Sequence, residues 1–256
     1  MGHRRLPMRW RFLAAMVIAF VRLQRWRLDI EGVEHLPRDG GAVLAFNHHS
    51  YLDFLMVAWP MVRIRRRPVR FLAKREIWES RWTGWAVRWV GAVPVDRTST
   101  RSRAGALDAA VAALRSGELV VVAPEQTISP SFELLPMRTG AARMAQRAGV
   151  PIVPVVGWGT HRALTKGRRP RLVPRLPVSV RCLPPQYVGA DEDVVTATQT
   201  LQATMRAALH EVQEGYPDGA PSGAWWVPAR LGGGAPPPDG DGGTDDGTGG
   251  GPGQRR

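Results

Sequence analysis

Short, continuous apolar runs bounded by turn residues set the rhythm of this chain. Residues 42–46, 119–123 and 151–156 are apolar without alternation, and 69–73 are apolar but for Arg70, the pattern of strands buried on both faces of a sheet. A briefer run at 91–95 ends in Asp96-Arg97, and residues 28–36 read as a strand and turn ahead of Pro37-Arg-Asp-Gly-Gly41. Residues 171–183 read as a strand pair or ribbon. Between the runs, apolar positions take helical spacing over 54–59, 77–90, 102–116, 139–148 and 196–214. Gly117 and Gly149 stand where helix C-termini favour glycine. Residues 63–70 hold five Arg and read as a basic loop. Alternating strands and helices predict an α/β fold, a mixed, mostly parallel central sheet covered by helices.

The two ends differ from this middle. Residues 12–21 are apolar, flanked by Arg4, Arg5, Arg9 and Arg11 on one side and Arg22, Arg25 and Arg27 on the other. Ten residues cannot cross a bilayer, which needs about 20, and no small-residue cleavage site follows. The pattern predicts an N-terminal interfacial helix over residues 1–27 that lies on a membrane. Residues 28–231 form the predicted main domain. Residues 232–256 are Gly/Pro/Asp low complexity and read as disordered.

Charge narrows the partners. The net charge is +13, and because residues 232–256 carry four Asp and two Arg, residues 1–231 carry +15. Such a body favours an anionic membrane surface, a nucleic acid or a phosphorylated substrate. Ten Trp outnumber six Phe and three Tyr, and Trp10, Trp26, Trp82 and Trp89 sit beside Arg, which suits a headgroup layer. No RNA-recognition signature, zinc finger or basic zipper appears, which argues against a nucleic-acid partner. One cysteine, Cys182, excludes an internal disulfide. With no histidine near it in sequence, it reads as a core residue.

The chemistry concentrates at one turn. Asn47-His48-His49-Ser50-Tyr51-Leu52-Asp53 joins an apolar strand to a helix. A histidine and a carboxylate are the parts of a general base and its orienting partner. Five helical steps would turn the two side chains roughly 140° apart. They can therefore meet only if His48 lies on the turn and Asp53 in the first turns of the helix. His49 reads as a residue that fills the turn. The absence of a Gly-x-Ser-x-Gly elbow disfavours a serine hydrolase, and no further His/Cys/carboxylate cluster accompanies the pair for a metal.

Further motifs follow in order: Phe71-Leu-Ala-Lys74-Arg-Glu76-Ile, Gly91-Ala-Val-Pro-Val-Asp96-Arg97, Pro124-Glu125-Gln-Thr127-Ile-Ser129 and Val150-Pro-Ile-Val-Pro154-Val. With the His-x4-Asp turn, they resemble the motifs of the 1-acylglycerol-3-phosphate O-acyltransferase (lysophosphatidate acyltransferase) family of glycerolipid acyltransferases over residues 28–231. Trp225-Trp-Val-Pro-Ala-Arg-Leu231 resembles a C-terminal extension of actinobacterial members. The resemblance implies a membrane-associated enzyme at the cytoplasmic face of the cell membrane. It would move an acyl chain from acyl-CoA or acyl carrier protein to a lysophospholipid hydroxyl, most readily 1-acylglycerol-3-phosphate giving phosphatidate. The thioester is a co-substrate, and no cofactor is implied. His48 would be the general base and Asp53 its orienting carboxylate. Lys74, Arg97, Glu125, Thr127 and Arg138 would bind substrate. Two positions depart from the family: Gln126 stands for its glycine and Ile128 for an arginine expected to hold the acceptor's phosphate. An acceptor with another headgroup, a lysolipid or glycolipid, therefore stays open. So does a non-catalytic protein whose basic body binds membranes or nucleic acid.

Overall fold

A computed structural model describes residues 7–74, 78–79, 81, 84–85, 93–95 and 100–238. Among these residues, seven strands form one sheet: β1 (Arg27–Glu31), β2 (Ala42–Phe46), β3 (Val69–Lys74), β4 (Val93–Val95), β5 (Leu119–Val122), β6 (Ile152–Trp158) and β7 (Pro177–Cys182). Their spatial order is β1-β7-β6-β2-β5-β3-β4. Every neighbouring pair is parallel except β6 with β7, the mixed, mostly parallel sheet expected. Five α-helices flank it among the described residues: α1 (Met8–Leu23), α2 (Asp53–Pro60), α3 (Thr100–Arg115), α4 (Gly140–Ala148) and α5 (Val194–Glu214).

The unbroken apolar runs are explained by two cores, one on each face. Along β2 all five residues are buried. Val43 and Ala45 face a cluster with Leu114, Met144 and Leu209 from α3, α4 and α5. Ala42, Leu44 and Phe46 face a second cluster with Trp10 and Val21 from α1 and Met56 and Val57 from α2. A strand whose two faces are both covered has no position for a polar residue.

Four expectations change. Residues 171–183 hold one strand, β7, not a ribbon, because Pro170 and Pro174 lack the N–H groups that a ladder requires. The segment before it is instead tied down singly, Arg171 N–H to Ala163 O and Arg175 N–H to Gln24 O. The basic stretch 63–70 begins as a π-helical turn, Met61–Arg65. Its Arg67 donates to the main-chain carbonyls of Pro37, Gly40 and Gly117, so this guanidinium staples turns together. The N-terminal helix expected over residues 1–27 is present as α1, but it packs one side into the core of the main domain: Trp10 is 2% exposed. Finally, packing extends past residue 231, with Gly234 N–H bonded to Ala224 O and Ala235 buried; small residues let the chain fold back closely here. The helix expected over 77–90 lies largely outside the described residues.

Candidate active site

Parallel strands bring their carboxyl ends to one edge, where open α/β sheets bind ligands. β2, β3 and β5 end there, at Phe46, Lys74 and Val122, and the turn 47–52 follows β2 directly. Asn47 extends the sheet with its side chain: its Oδ1 accepts from Gly157 N–H at 2.7 Å and its amide donates to Gly157 O at 2.9 Å. The turn therefore starts from a fixed point.

Asp53 is the first residue of α2 and is 4% exposed. Its Oδ2 accepts the backbone N–H groups of His49 and Ser50, each at 2.7 Å, and lies 3.3 Å from His48 Nδ1. Its Oδ1 accepts the Thr160 hydroxyl at 2.7 Å. A buried charge needs such partners. The meeting geometry matches the expectation, with His48 on the turn and Asp53 opening the helix. With Nδ1 turned to Asp53, His48 has Nε2 left for a substrate. Its side chain is 23% exposed and stands edge-on to Phe46.

The main chain of His48 is held on both sides. Its N–H donates to Glu125 Oε1 at 2.7 Å, and its carbonyl accepts from Ser129 N–H at 2.9 Å. Glu125 Oε2 also accepts Leu135 N–H at 2.8 Å. Burial pushes the Glu125 carboxyl up to about 8, against the pull of these two N–H donors. Both carboxyl oxygens are thus engaged by the protein, in a residue that sequence reasoning linked to substrate.

Behind the pair lies an aromatic wall. His49 is 1% exposed, accepts from the Asn47 amide at 3.1 Å and packs edge-on to Phe132 and Trp158. Burial pushes it down to about 3, so it stays neutral. His161, equally buried and pushed down to about 3, donates through Nε2 to Trp226 O at 3.0 Å. Trp225 and Trp226 pack on this wall and carry Arg168 and Arg162 over their rings at 4.0 and 4.1 Å.

Thr160 was not legible as a site residue. It follows β6, and Gly159 before it has φ +106°, where a Cβ would meet Pro177 O at 2.3 Å. The Gly-Thr pair after an apolar strand was the available signal. Among the other expected residues, Lys74 ends β3 in register with Val95. Thr127 and Arg138 are exposed, and Arg138 N–H bonds Pro124 O. Arg97 lies outside the described residues. Gln126 has φ +63°, the left-handed region that explains a family glycine here. Ile128 is 6% exposed, an apolar side chain inside where the family's arginine is absent.

A histidine in contact with a buried aspartate thus stands at the carboxyl edge of a mostly parallel sheet. The chain belongs to the acyltransferase family, whose model matches residues 27–158, from the start of β1 to the end of β6. It is 32% identical over 143 residues to a chloroplastic 1-acyl-sn-glycerol-3-phosphate acyltransferase of Brassica napus, covering 56% of this chain and 40% of that one. It is 29% identical over 135 residues to the 1-acyl-sn-glycerol-3-phosphate acyltransferase of Bacillus subtilis, covering 53% of this chain and 64% of that one. The aligned segments thus span less than two thirds of either relative. The crystal structure of the 1-acyl-sn-glycerophosphate (LPA) acyltransferase PlsC from Thermotoga maritima has the same fold, with a TM-score of 0.63 at 23% identity over 79% of this chain and 80% of that one.

Proposed function

We propose that this protein transfers an acyl chain from acyl-CoA, or from acyl carrier protein, to the free hydroxyl of a lysophospholipid, 1-acylglycerol-3-phosphate giving phosphatidate. The observation that carries the reading is the His48–Asp53 contact on a turn whose backbone is fixed by Glu125, Ser129 and Asn47. His48 Nε2 takes the acceptor's hydroxyl proton as the oxygen attacks the thioester carbonyl. Asp53 holds the opposite ring nitrogen and stabilises the imidazolium. The tetrahedral intermediate then collapses, the C–S bond breaks, and the thiolate leaves with the proton that His48 carried. The thioester is already activated, so no enzyme nucleophile is needed. Glu125 and Thr160 act as positioning residues, through the His48 backbone and the Asp53 carboxylate. Lys74, Arg97, Thr127 and Arg138 are the proposed contacts to the acceptor, the guanidinium groups suiting a phosphate.

The reaction runs at a membrane surface, at its cytoplasmic face, with the protein peripheral or monotopic. In support, α1 exposes Met8, Met16, Phe20 and Leu23 among Arg9, Arg11 and Arg22. No described helix is long and apolar enough to cross a membrane. A second reading, transfer to another lysolipid or a glycolipid, is favoured by Gln126 and the buried Ile128. Labelled acyl-CoA and a panel of lysolipid acceptors separate the two. Label in phosphatidate supports the first reading. Activity confined to a phosphate-free acceptor replaces it with the second, and no transfer to any acceptor removes both.

A further inference from the structure

Residues 134–190 contain no Asp or Glu, while the connection from β6 to β7 holds Lys166, Arg168, Arg169, Arg171 and Arg175. In the middle of this basic run Leu172 is 76% exposed. An apolar side chain raised on a cationic loop is unfavourable in water alone and suits the boundary between lipid headgroups and acyl chains. The loop is not slack. Arg168 lies over the Trp225 ring at 4.0 Å, Arg171 N–H bonds Ala163 O at 2.9 Å, and Val173 O accepts the Trp26 indole N–H at 3.0 Å. Leu172 is therefore held out by its neighbours.

Its position links two parts of the molecule. On one side, residues 173–175 lie against residues 24–26 at the end of α1, through the Trp26 contact and Arg175 N–H to Gln24 O at 2.7 Å. Leu23, 80% exposed, and Leu172 thus each adjoin this contact in sequence. On the other side, the two residues that lead into the loop hold the His48 turn: Thr165 Oγ1 donates to His49 O at 2.7 Å, and Ser50 Oγ donates to Leu164 O at 2.6 Å.

We infer that the Lys166–Arg175 loop is a second membrane-binding element, which inserts Leu172 into an anionic bilayer beside α1 and so sets the His48 turn at the lipid surface. The inference rests on the reading that the enzyme works on a bilayer substrate. Its occupant is an anionic leaflet because five cations, with no acidic residue in the loop, surround one apolar tip. The bonds of Leu164 and Thr165, which lead directly into the loop, couple its docking to the alignment of the turn.

Site-specific labelling of the full chain tests this. Cys182 is the chain's one cysteine, 3% exposed, and burial pushes its thiol up to about 12, so a thiol-reactive dye goes to an introduced cysteine. A polarity-sensitive dye on Leu172→Cys, mixed with vesicles of phosphatidylglycerol and phosphatidylcholine, is expected to brighten, shift to shorter wavelength and be quenched by nitroxide-bearing lipid. The same dye on Val195→Cys, on α5 across the sheet, is expected to stay unchanged. Arg169→Gln and Arg171→Gln should each weaken vesicle partitioning about fivefold, given the attraction of one basic residue to an anionic surface. Turnover of a water-soluble short-chain acceptor should be unchanged in both. A dye on Leu23→Cys separates the possible failures. If Leu23 responds and Leu172 does not, the loop inference falls and the membrane reading stands. If neither responds, both fall.

Discussion

The His48 turn and helix α1 each invert the usual distribution of polar and apolar groups, in opposite directions. The turn and its supports bury charge and amide: Asn47, His49, Ser50, Asp53 and, from beyond β5, Glu125 are all buried. Helix α1 does the reverse and leaves Met8, Met16 and Leu23 more than half exposed. Every carboxyl oxygen in the turn has a donor within the protein, so the burial is satisfied internally and yields a fixed geometry. Among the described residues, the apolar stripe of α1 has no such cover.

The sharpest break in this comparison is His48→Ala. It should lower kcat on lysophosphatidate about 10²- to 10⁴-fold, the range for loss of a general base. The urea midpoint should barely move, because the turn is held through its backbone. On the other region, Met16→Glu with Leu23→Glu should weaken sedimentation with anionic vesicles on the order of 100-fold, from the loss of two apolar contacts. Turnover of a soluble short-chain acceptor should persist.

The buried titratable groups give a pH signature with two opposing signs. His49 and His161 are lowered to about 3 when folded, so the unfolded chain binds more protons below about 6.5 and stability falls as pH falls. Glu125 is raised to about 8, so the folded chain binds more protons between about 4.5 and 8 and stability falls as pH rises. Two histidines outweigh one glutamate on the acid side. Urea unfolding should therefore show greatest stability near pH 6.5, with roughly 1 kcal/mol lost by pH 5 and again by pH 8.

Thr160→Val leaves Asp53 Oδ1 without its hydroxyl donor, and kcat should fall about tenfold with KM unchanged, at the lower end of a hydrogen bond to charge. Thr160→Ser should restore it, which mere loss of packing would not allow. The smallest effect expected is at Gln126. Gln126→Gly relieves a left-handed φ and should raise unfolding stability by about 0.5–1 kcal/mol, read from the thermal midpoint.

What the sequence disclosed depended on how local each determinant is. β2 was legible to the residue because both of its faces are covered and five apolar side chains follow one another. The His48–Asp53 pair was legible because strand, turn and helix start are contiguous. Thr160 was hidden because its bond to Asp53 joins residues 107 apart, and its role exists only once β6 lies beside β2. Glu125 was named from its motif, but a bond to a backbone N–H 77 residues away leaves no trace in local pattern. The two faces of α1 were conflated for a related reason. Trp10 and Val21 bury inward while Met16 and Leu23 point out, and a helix apolar on both sides reads the same whichever side meets lipid. In residues 171–183 the apolar content outweighed the prolines, which decided the outcome.

The central claim is that the imidazole of His48, held by Asp53, is the base for acyl transfer. Chemical rescue addresses it directly: full-length His48→Ala, acyl-CoA and lysophosphatidate, with and without added imidazole, the product identified by mass spectrometry. The variant alone should form phosphatidate about 10²- to 10⁴-fold more slowly than the wild type, and added imidazole should partly restore the rate. Phosphatidate from the variant at the wild-type rate, with no response to imidazole, would contradict it.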